Sequence, residues 1–107
     1  MKLYELKYMF DWGSGTCLWA VNQEAKNKFG YAIEIENLLI SSELKQQLFH
    51  LIEWHDEALD WENPTKGLLW NDKEIEKFKI EAKELYYSLC DELGPLYRIV
   101  YQDEHLL

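Results

Sequence analysis

The sequence predicts an α+β domain whose antiparallel sheet of about four strands carries two helices packed on one face, in the order βββααβ. Three observations predict this class: short aromatic and β-branched segments separated by turns, two long amphipathic periodicities, and one alternating segment at the end. A length of 107 residues with 48% hydrophobic side chains is typical of one domain, so we expect residues 1–107 to share one core.

The first two strands are predicted to form a hairpin. Residues 2–10 (KLYELKYMF) are rich in aromatic side chains and lack glycine and proline. The segment DWGSGT follows as a turn, because two glycines flanking a serine provide positive φ angles. Residues 17–21 (CLWAV) then predict a short buried strand, bounded by that turn on one side and by the polar segment NQEAKNKFG on the other.

A third strand is predicted over residues 31–37 (YAIEIEN). Tyr31, Ile33 and Ile35 alternate with shorter or acidic side chains, as in a strand with one dry face and one wet face. We expect this strand to complete the N-terminal part of the sheet.

A first long helix is predicted from Ser41 or Ser42 to about Leu59. Either serine can cap the helix, and Glu43 suits the positive end of the helix dipole. The apolar positions fall on one side of a helix: Leu44, Leu48, Leu51, Ile52 and His55, with Ala58 or Leu59 beyond. This side is expected to cover the sheet.

The second long helix has the most regular periodicity in the chain. Asn71 stands three residues before Glu74, as in a capping box. The apolar positions then recur at intervals of three and four: Ile75, Phe78, Ala82, Leu85, Leu89 and Leu93. Gly94 and Pro95 end the helix, and residues 96–101 (LYRIVY) predict the final strand.

The net charge is −9, from 20 acidic and 11 basic residues. Residues 36–62 contribute seven acids and one base, so much of the excess is local. This balance opposes a nucleic-acid partner, which requires Lys and Arg against phosphates, and favours a cationic protein. There is no apolar run of about 18 residues to span a bilayer and no apolar signal segment, so we expect a cytoplasmic protein without a membrane partner.

Motifs for nucleotides and cofactors are not recognisable. Residues 12–16 (WGSGT) lack the lysine and the following helix of a P-loop and the third glycine of a dinucleotide loop. Cys17 and Cys90 lie too far apart for a zinc ribbon or a dithiol motif. No cofactor is therefore predicted, and no nucleophile signature supports an enzyme.

The segment EWHDEALDWENP, residues 53–64, places two tryptophans and a histidine among five carboxylates and no cation. Helical spacings of four and three allow Glu53, Glu57 and Asp60 to share a face. Such a field steers a basic partner, and tryptophan is enriched in binding hot spots. The candidate partner-binding residues are Glu53, Trp54, Asp56, Glu57, Asp60, Trp61 and Glu62.

Alternatives to this interpretation remain open. A small metal-dependent enzyme or ligand-binding domain would use His50, Glu53, His55 and Asp56, although positions 50 and 55 are about 140° apart on a helix. The acids could instead be a solvated face, and Trp54 and Trp61 could attach the loop to the core. A homodimer with the acidic loop in solvent is a third hypothesis.

Three segments carry a resemblance to a known group of proteins: DWGSGTCLW, LFHLIEWHDEALDWENP and LLWNDKEIEKFKIEAKELYYSLCDELGPLYRIVY. They contain an Asp-aromatic-Gly turn before Cys-Leu-Trp, a helix leading into Leu-Asp-Trp-x-x-Pro, and a helix ending in Glu-Leu-Gly. In these features the chain resembles the small cytoplasmic immunity proteins of polymorphic and contact-dependent growth-inhibition toxin systems. The resemblance brings no catalytic motif and implies a cognate toxin as partner. With the acidic charge, it predicts a protein that neutralises a basic toxin domain such as a nuclease.

Overall fold

The computed structural model describes residues 2–63, 65 and 67–102 and confirms the α+β class. A short 3₁₀ turn, Ile35–Asn37, accompanies the regular elements. In chain order these elements are β1 (Tyr4–Tyr8), β2 (Leu18–Ala20), α1 (Gln23–Phe29), α2 (Ser42–Glu57), α3 (Asp72–Leu93) and β3 (Tyr97–Tyr101). No helix in these described ranges is long and apolar enough to cross a membrane.

Among the described residues the sheet has three strands in the order β2-β1-β3 and is mixed, so the prediction of about four antiparallel strands was wrong. The predicted hairpin is confirmed, with Leu6 opposite Ala20 on antiparallel strands. β3 runs parallel to β1, because the chain between β2 and β3 brings the start of β3 beside the start of β1. There the Tyr4 N–H donates to the Leu96 carbonyl at 2.8 Å.

Residues 31–37 do not form the predicted strand. Pairing with β2 is limited to a bridge between Ala32 and Trp19, after which the chain turns through the 3₁₀ segment. Ile33 and Ile35 are nevertheless buried, as the alternation indicated. An irregular extended segment that buries two isoleucines in the core has the same alternation of buried and exposed side chains as a strand. This similarity explains the error.

The polar segment after β2 forms a helix, α1, which the predicted order βββααβ with two helices does not contain. The Asn22 side chain caps it by accepting a hydrogen bond from the Ala25 N–H at 3.0 Å, and Gly30 ends it with φ +79°. Ala25 is fully buried. The helix has only seven residues and one buried side chain, so it lacks the long apolar stripe by which the other helices were recognised.

One face of the sheet forms the core with the helices. Leu6 and Tyr8 are fully buried, whereas Lys7, between them, is half-buried on the opposite face. The Tyr8 hydroxyl donates to the Ala82 carbonyl of α3 at 2.9 Å, and Phe10 packs edge-on against Phe78. The helices therefore lie on the face that carries the even-numbered residues of β1.

The predicted starts of α2 and α3 and the predicted end of α3 are confirmed, whereas α2 ends at Glu57, before the predicted Leu59. Ser41 caps α2 by accepting from the Leu44 N–H at 3.1 Å. The capping box of Asn71 and Glu74 begins α3. Gly94 ends α3 with φ +82°, a conformation that favours glycine.

Candidate partner-binding surface

We call residues 53–62 the acidic segment. The side of α2 that faces the core determines which side chains of its helical part reach solvent. The predicted apolar stripe is confirmed as the buried side of the helix, including His55, which is 1% exposed. Glu53 and Glu57 are exposed, one helical turn apart. The helix ends at Glu57, so the remaining residues of the segment are placed by a loop.

Glu53 and Glu57 line a groove between α2 and α3, which we call the interhelix groove. Its volume is about 320 Å³, and its walls are His50, Glu53, Trp54, Glu57, Lys77 and Glu81. Lys77 provides the one basic side chain of this lining, with its Nζ 5.7 Å from the centroid of the Trp54 ring. Four of the lining residues belong to α2, so this groove presents the helical part of the segment.

Trp54 is half-buried in an aromatic cluster. Its ring lies 5.3 Å from the Trp70 ring and 5.4 Å from the Phe78 ring, measured between centroids. Most of the Trp54 side chain therefore packs against other aromatic rings, as in the alternative in which this tryptophan attaches the loop to the core. The part that remains accessible forms a wall of the interhelix groove.

The β1–β2 loop is attached to the C-terminal end of α2. The Trp12 indole N–H donates to the His55 carbonyl at 2.8 Å, and the two rings stack at 4.6 Å with an interplanar angle of 15°. The Gly13 N–H donates to Asp56 Oδ1 at 3.0 Å. Asp56, predicted as a partner contact, therefore also joins the loop to the helix.

Trp61 is 56% exposed and is held at both ends of its ring. Its indole N–H donates to the Asp56 carbonyl at 2.9 Å. At the other end, a Cβ added to Gly13 would lie 3.3 Å from Trp61 Cη2, so only a glycine allows this approach without displacing the ring. Trp61 is the most exposed aromatic ring of the acidic segment.

The backbone around Trp61 is folded by further hydrogen bonds. Asp60 Oδ1 accepts from the Glu62 N–H at 3.1 Å and from the Asn63 N–H at 3.2 Å. This is the local turn that aspartate commonly stabilises. The Leu69 N–H donates to the Ala58 carbonyl at 2.7 Å, which closes the base of the loop. Glu62 itself is exposed.

His55 has a buried imidazole whose Nε2 lacks a hydrogen-bond partner among the described residues. Burial lowers its pKa from 6.5 to about 4, while the nearby carboxylates of Asp56 and Asp11 oppose that shift. The neutral ring is thus favoured in the folded protein. The rings of Trp12 and Phe10 pack on it, which confirms the expectation that position 55 belongs to the apolar side of α2.

The four residues of the metal alternative are not brought together. His50 is exposed on the groove side of α2, whereas His55 is buried on the other side beneath Trp12. Across the described residues, no three His, Cys, Asp or Glu side chains are close enough to hold a metal ion.

The seven predicted residues fall into two neighbouring parts. Glu53, Trp54 and Glu57 line the interhelix groove. Asp56 and Trp61 contact Gly13 of the β1–β2 loop, and Asp60 and Glu62 flank Trp61 in the turn that follows α2. In the described parts of the chain the one ion pair joins Lys2 to Glu24, at 3.7 Å, so no carboxylate of the acidic segment is paired there.

Sequence reasoning missed the contribution of Trp12 and Gly13. It assigned Gly13 to a turn, which its φ of +78° confirms, but not to the support of Trp61. The one available signal was a tryptophan directly before a glycine turn, which does not identify the helix that it contacts.

A family model described as Serratia CdiI immunity protein-like matches residues 4–104, which include every element of the fold and all of the acidic segment. None of the curated proteins matches the sequence. The family match agrees with the resemblance inferred from the turn, loop and helix-end motifs. The chain belongs to the Serratia CdiI immunity protein-like family.

Proposed function

We propose that this protein binds a cognate basic toxin domain and neutralises it stoichiometrically, and that the toxin is a nuclease. The proposed contact residues are Glu53, Trp54, Asp56, Glu57, Asp60, Trp61 and Glu62. One observation carries the proposal: in a member of an immunity-protein family, the acidic segment holds five carboxylates and an exposed tryptophan, and none of these carboxylates forms an ion pair within the described residues.

Electrostatics supply the reason for a basic partner. A nuclease domain needs positive side chains to hold the phosphates of its substrate. Carboxylates that reach solvent on one part of an immunity protein attract such a surface and raise the association rate by about 10- to 1,000-fold. Covering the same positive surface excludes the substrate, so binding and neutralisation become one event.

The two parts of the surface contribute differently. Glu53 and Glu57 line a groove and provide the long-range field. Trp61 provides exposed aromatic area in a fixed orientation, which is the property of a hot-spot residue. Asp56 and Asp60 contribute hydrogen bonds in addition to their charge. Asp56 holds the β1–β2 loop through the Gly13 N–H, and Asp60 holds the turn around Trp61 through the Glu62 N–H.

The experiment reverses the charge of acids whose side chains form no hydrogen bond or ion pair within the described residues. Glu53→Lys, Glu57→Lys and Glu62→Lys are combined, because all three side chains are exposed. The partner is the basic C-terminal domain of the large secreted protein expected to be encoded directly upstream. At low salt we expect the association rate constant to fall by about 10- to 1,000-fold, with a smaller difference at high salt.

A matched control carries the same change in charge elsewhere. Glu34→Lys, Glu36→Lys and Asp91→Lys alter three exposed acids outside the acidic segment. Its association rate should fall much less than that of the first triple variant. Equal losses would assign the effect to net charge alone, and a wild-type protein that neither binds this domain nor rescues cells co-expressing it would overturn the proposed function.

A further inference from the structure

Trp61 differs from the other four tryptophans of the chain in its surroundings. Trp12 stacks on His55, Trp19 packs near Tyr31, and Trp54 and Trp70 pack against each other and on Phe78. Within the described residues, Trp61 has no ring neighbour of this kind and remains 56% exposed. Its ring is therefore available to a group from outside the chain.

The orientation of this exposed ring is already fixed. The Asp56 carbonyl accepts from its indole N–H, and Gly13 lies against the far edge of its six-membered ring. Gly13 is itself held, because its N–H donates to Asp56 Oδ1. A ring fixed before binding loses little conformational freedom when a partner arrives, so a contact made to it is not weakened by an ordering cost.

The ring belongs to an acidic stretch of the chain, and within the described residues no lysine or arginine lies over it. Asp60 and Glu62 are its sequence neighbours. The main-chain carbonyl of Asp56 accepts from its indole N–H, and the Asp56 carboxylate accepts from the N–H of Gly13, which lies against the ring. Trp54 shows the contrast, since Lys77 of the same chain already lies over its ring. A cation attracted to this part of the surface thus finds an open indole at Trp61.

We propose that Trp61 receives an arginine side chain of the partner, stacked on the indole and neutralised by the carboxylates around it, and that Gly13 is a positioning residue for this contact. The inference deepens the proposed function and rests on it. Arginine is specified because a planar guanidinium stacks on an aromatic ring and binds carboxylates through a fork of N–H groups, whereas lysine presents a compact, strongly hydrated charge.

The first test uses a defined probe and the isolated protein. 5-Fluorotryptophan is incorporated at position 61, and its ¹⁹F resonance is followed during titration with a hexa-arginine peptide or a hexalysine peptide of equal charge. We expect a saturable shift, with hexa-arginine bound at least about threefold more tightly than hexalysine. Equal affinities, or no shift with either peptide, would contradict the assignment of an arginine site.

The positioning role of Gly13 has a matched control in the same loop. Gly13 and Gly15 both have positive φ, +78° and +73°, so alanine strains the backbone at either position. Only at Gly13 would the new Cβ meet the Trp61 ring. Gly13→Ala should therefore move the ¹⁹F resonance of position 61 and weaken hexa-arginine binding, whereas Gly15→Ala should leave both nearly unchanged. The same effect from both variants would show that Gly13 acts only through backbone strain.

The toxin domain provides the decisive measurement. Trp61→Leu removes the ring and its hydrogen bond to the Asp56 carbonyl. It should raise the dissociation rate of the complex by about 10-fold, and one arginine substitution in the toxin should remove most of that difference. If the wild-type protein binds the toxin and Trp61→Leu binds equally well, the arginine site is wrong, and the proposed neutralisation of the toxin stands without Trp61 as a contact. If the wild-type protein does not bind the toxin, the proposed function fails, and the peptide titrations still test the site.

Discussion

Trp54 and Trp61 lie seven residues apart in one acidic segment, yet they belong to different kinds of structure. Trp54 lies within α2, whose phase turns its ring onto Trp70 and Phe78. Trp61 follows the helix, and hydrogen bonds of the loop hold its ring outward. The difference teaches that composition marks where the acids and tryptophans are concentrated, whereas the end of the helix at Glu57 decides which tryptophan reaches solvent.

The largest effect on stability is expected at His55, which follows Trp54 on α2 and stacks on Trp12 of the β1–β2 loop. Its pKa is about 4 in the folded protein, lowered from 6.5 mainly by burial. Above pH 6.5 both folded and unfolded states hold a neutral ring, so no stability is lost. Between pH 6.5 and pH 4 the unfolded chain takes up the proton first, and the free energy of unfolding should decrease by about 3 kcal/mol over this range.

His55→Phe isolates this contribution, because it keeps a ring of similar shape beside Trp12 and removes the ionisable group. The backbone carbonyl that accepts from the Trp12 indole is also kept. Urea unfolding at pH 7, 5.5 and 4 should show a stability difference between wild type and variant that grows as the pH falls. A difference independent of pH would mean that His55 does not carry the titration.

The second prediction separates the two tryptophans by stability. Trp54→Ala removes a half-buried ring from the cluster with Trp70 and Phe78, so the free energy of unfolding should decrease by about 2 kcal/mol. Trp61→Ala removes an exposed ring and one hydrogen bond, and we expect a decrease of about 0.5 kcal/mol. Urea denaturation monitored by far-ultraviolet circular dichroism measures both values.

The affinity for the toxin should show the opposite order, with the larger loss at Trp61. Trp61→Ala should weaken the complex more than Trp54→Phe, which retains most of the packing and a wall of the interhelix groove. Comparable losses of stability for Trp54→Ala and Trp61→Ala would remove the distinction between a packing tryptophan and a contact tryptophan.

The long-range periodicities of the sequence were sufficient to predict the helical part of this molecule. Leu44, Leu48 and His55 recur with the helical period, and the buried side of α2 is the one that they predict. The capping residues Ser41 and Asn71 also have the predicted hydrogen bonds. Each of these features depends on neighbours within a few residues along the chain, which is why sequence alone reveals them.

The errors concern features that depend on distant partners. The alternation of Ile33 and Ile35 records burial but not the presence of a neighbouring strand, so it cannot distinguish a strand from an extended segment. The parallel pairing of β3 with β1 depends on the path of the whole chain between them. Likewise, the contact of Gly13 with Trp61 joins residues 48 positions apart, and no local pattern contains it.

The smallest predicted effect lies at Asp56, which connects the helix to the loop. Asp56→Ala removes the acceptor for the Gly13 N–H and should lower the free energy of unfolding by about 0.5 kcal/mol, since the bond is exposed. Asp56→Asn keeps an oxygen acceptor and should cost less, while removing one negative charge from the surface. Amide hydrogen exchange at Gly13 should accelerate in the alanine variant and change little in the asparagine variant. If both variants accelerated exchange equally, the charge of Asp56, and not its place as an acceptor, would hold the β1–β2 loop against α2.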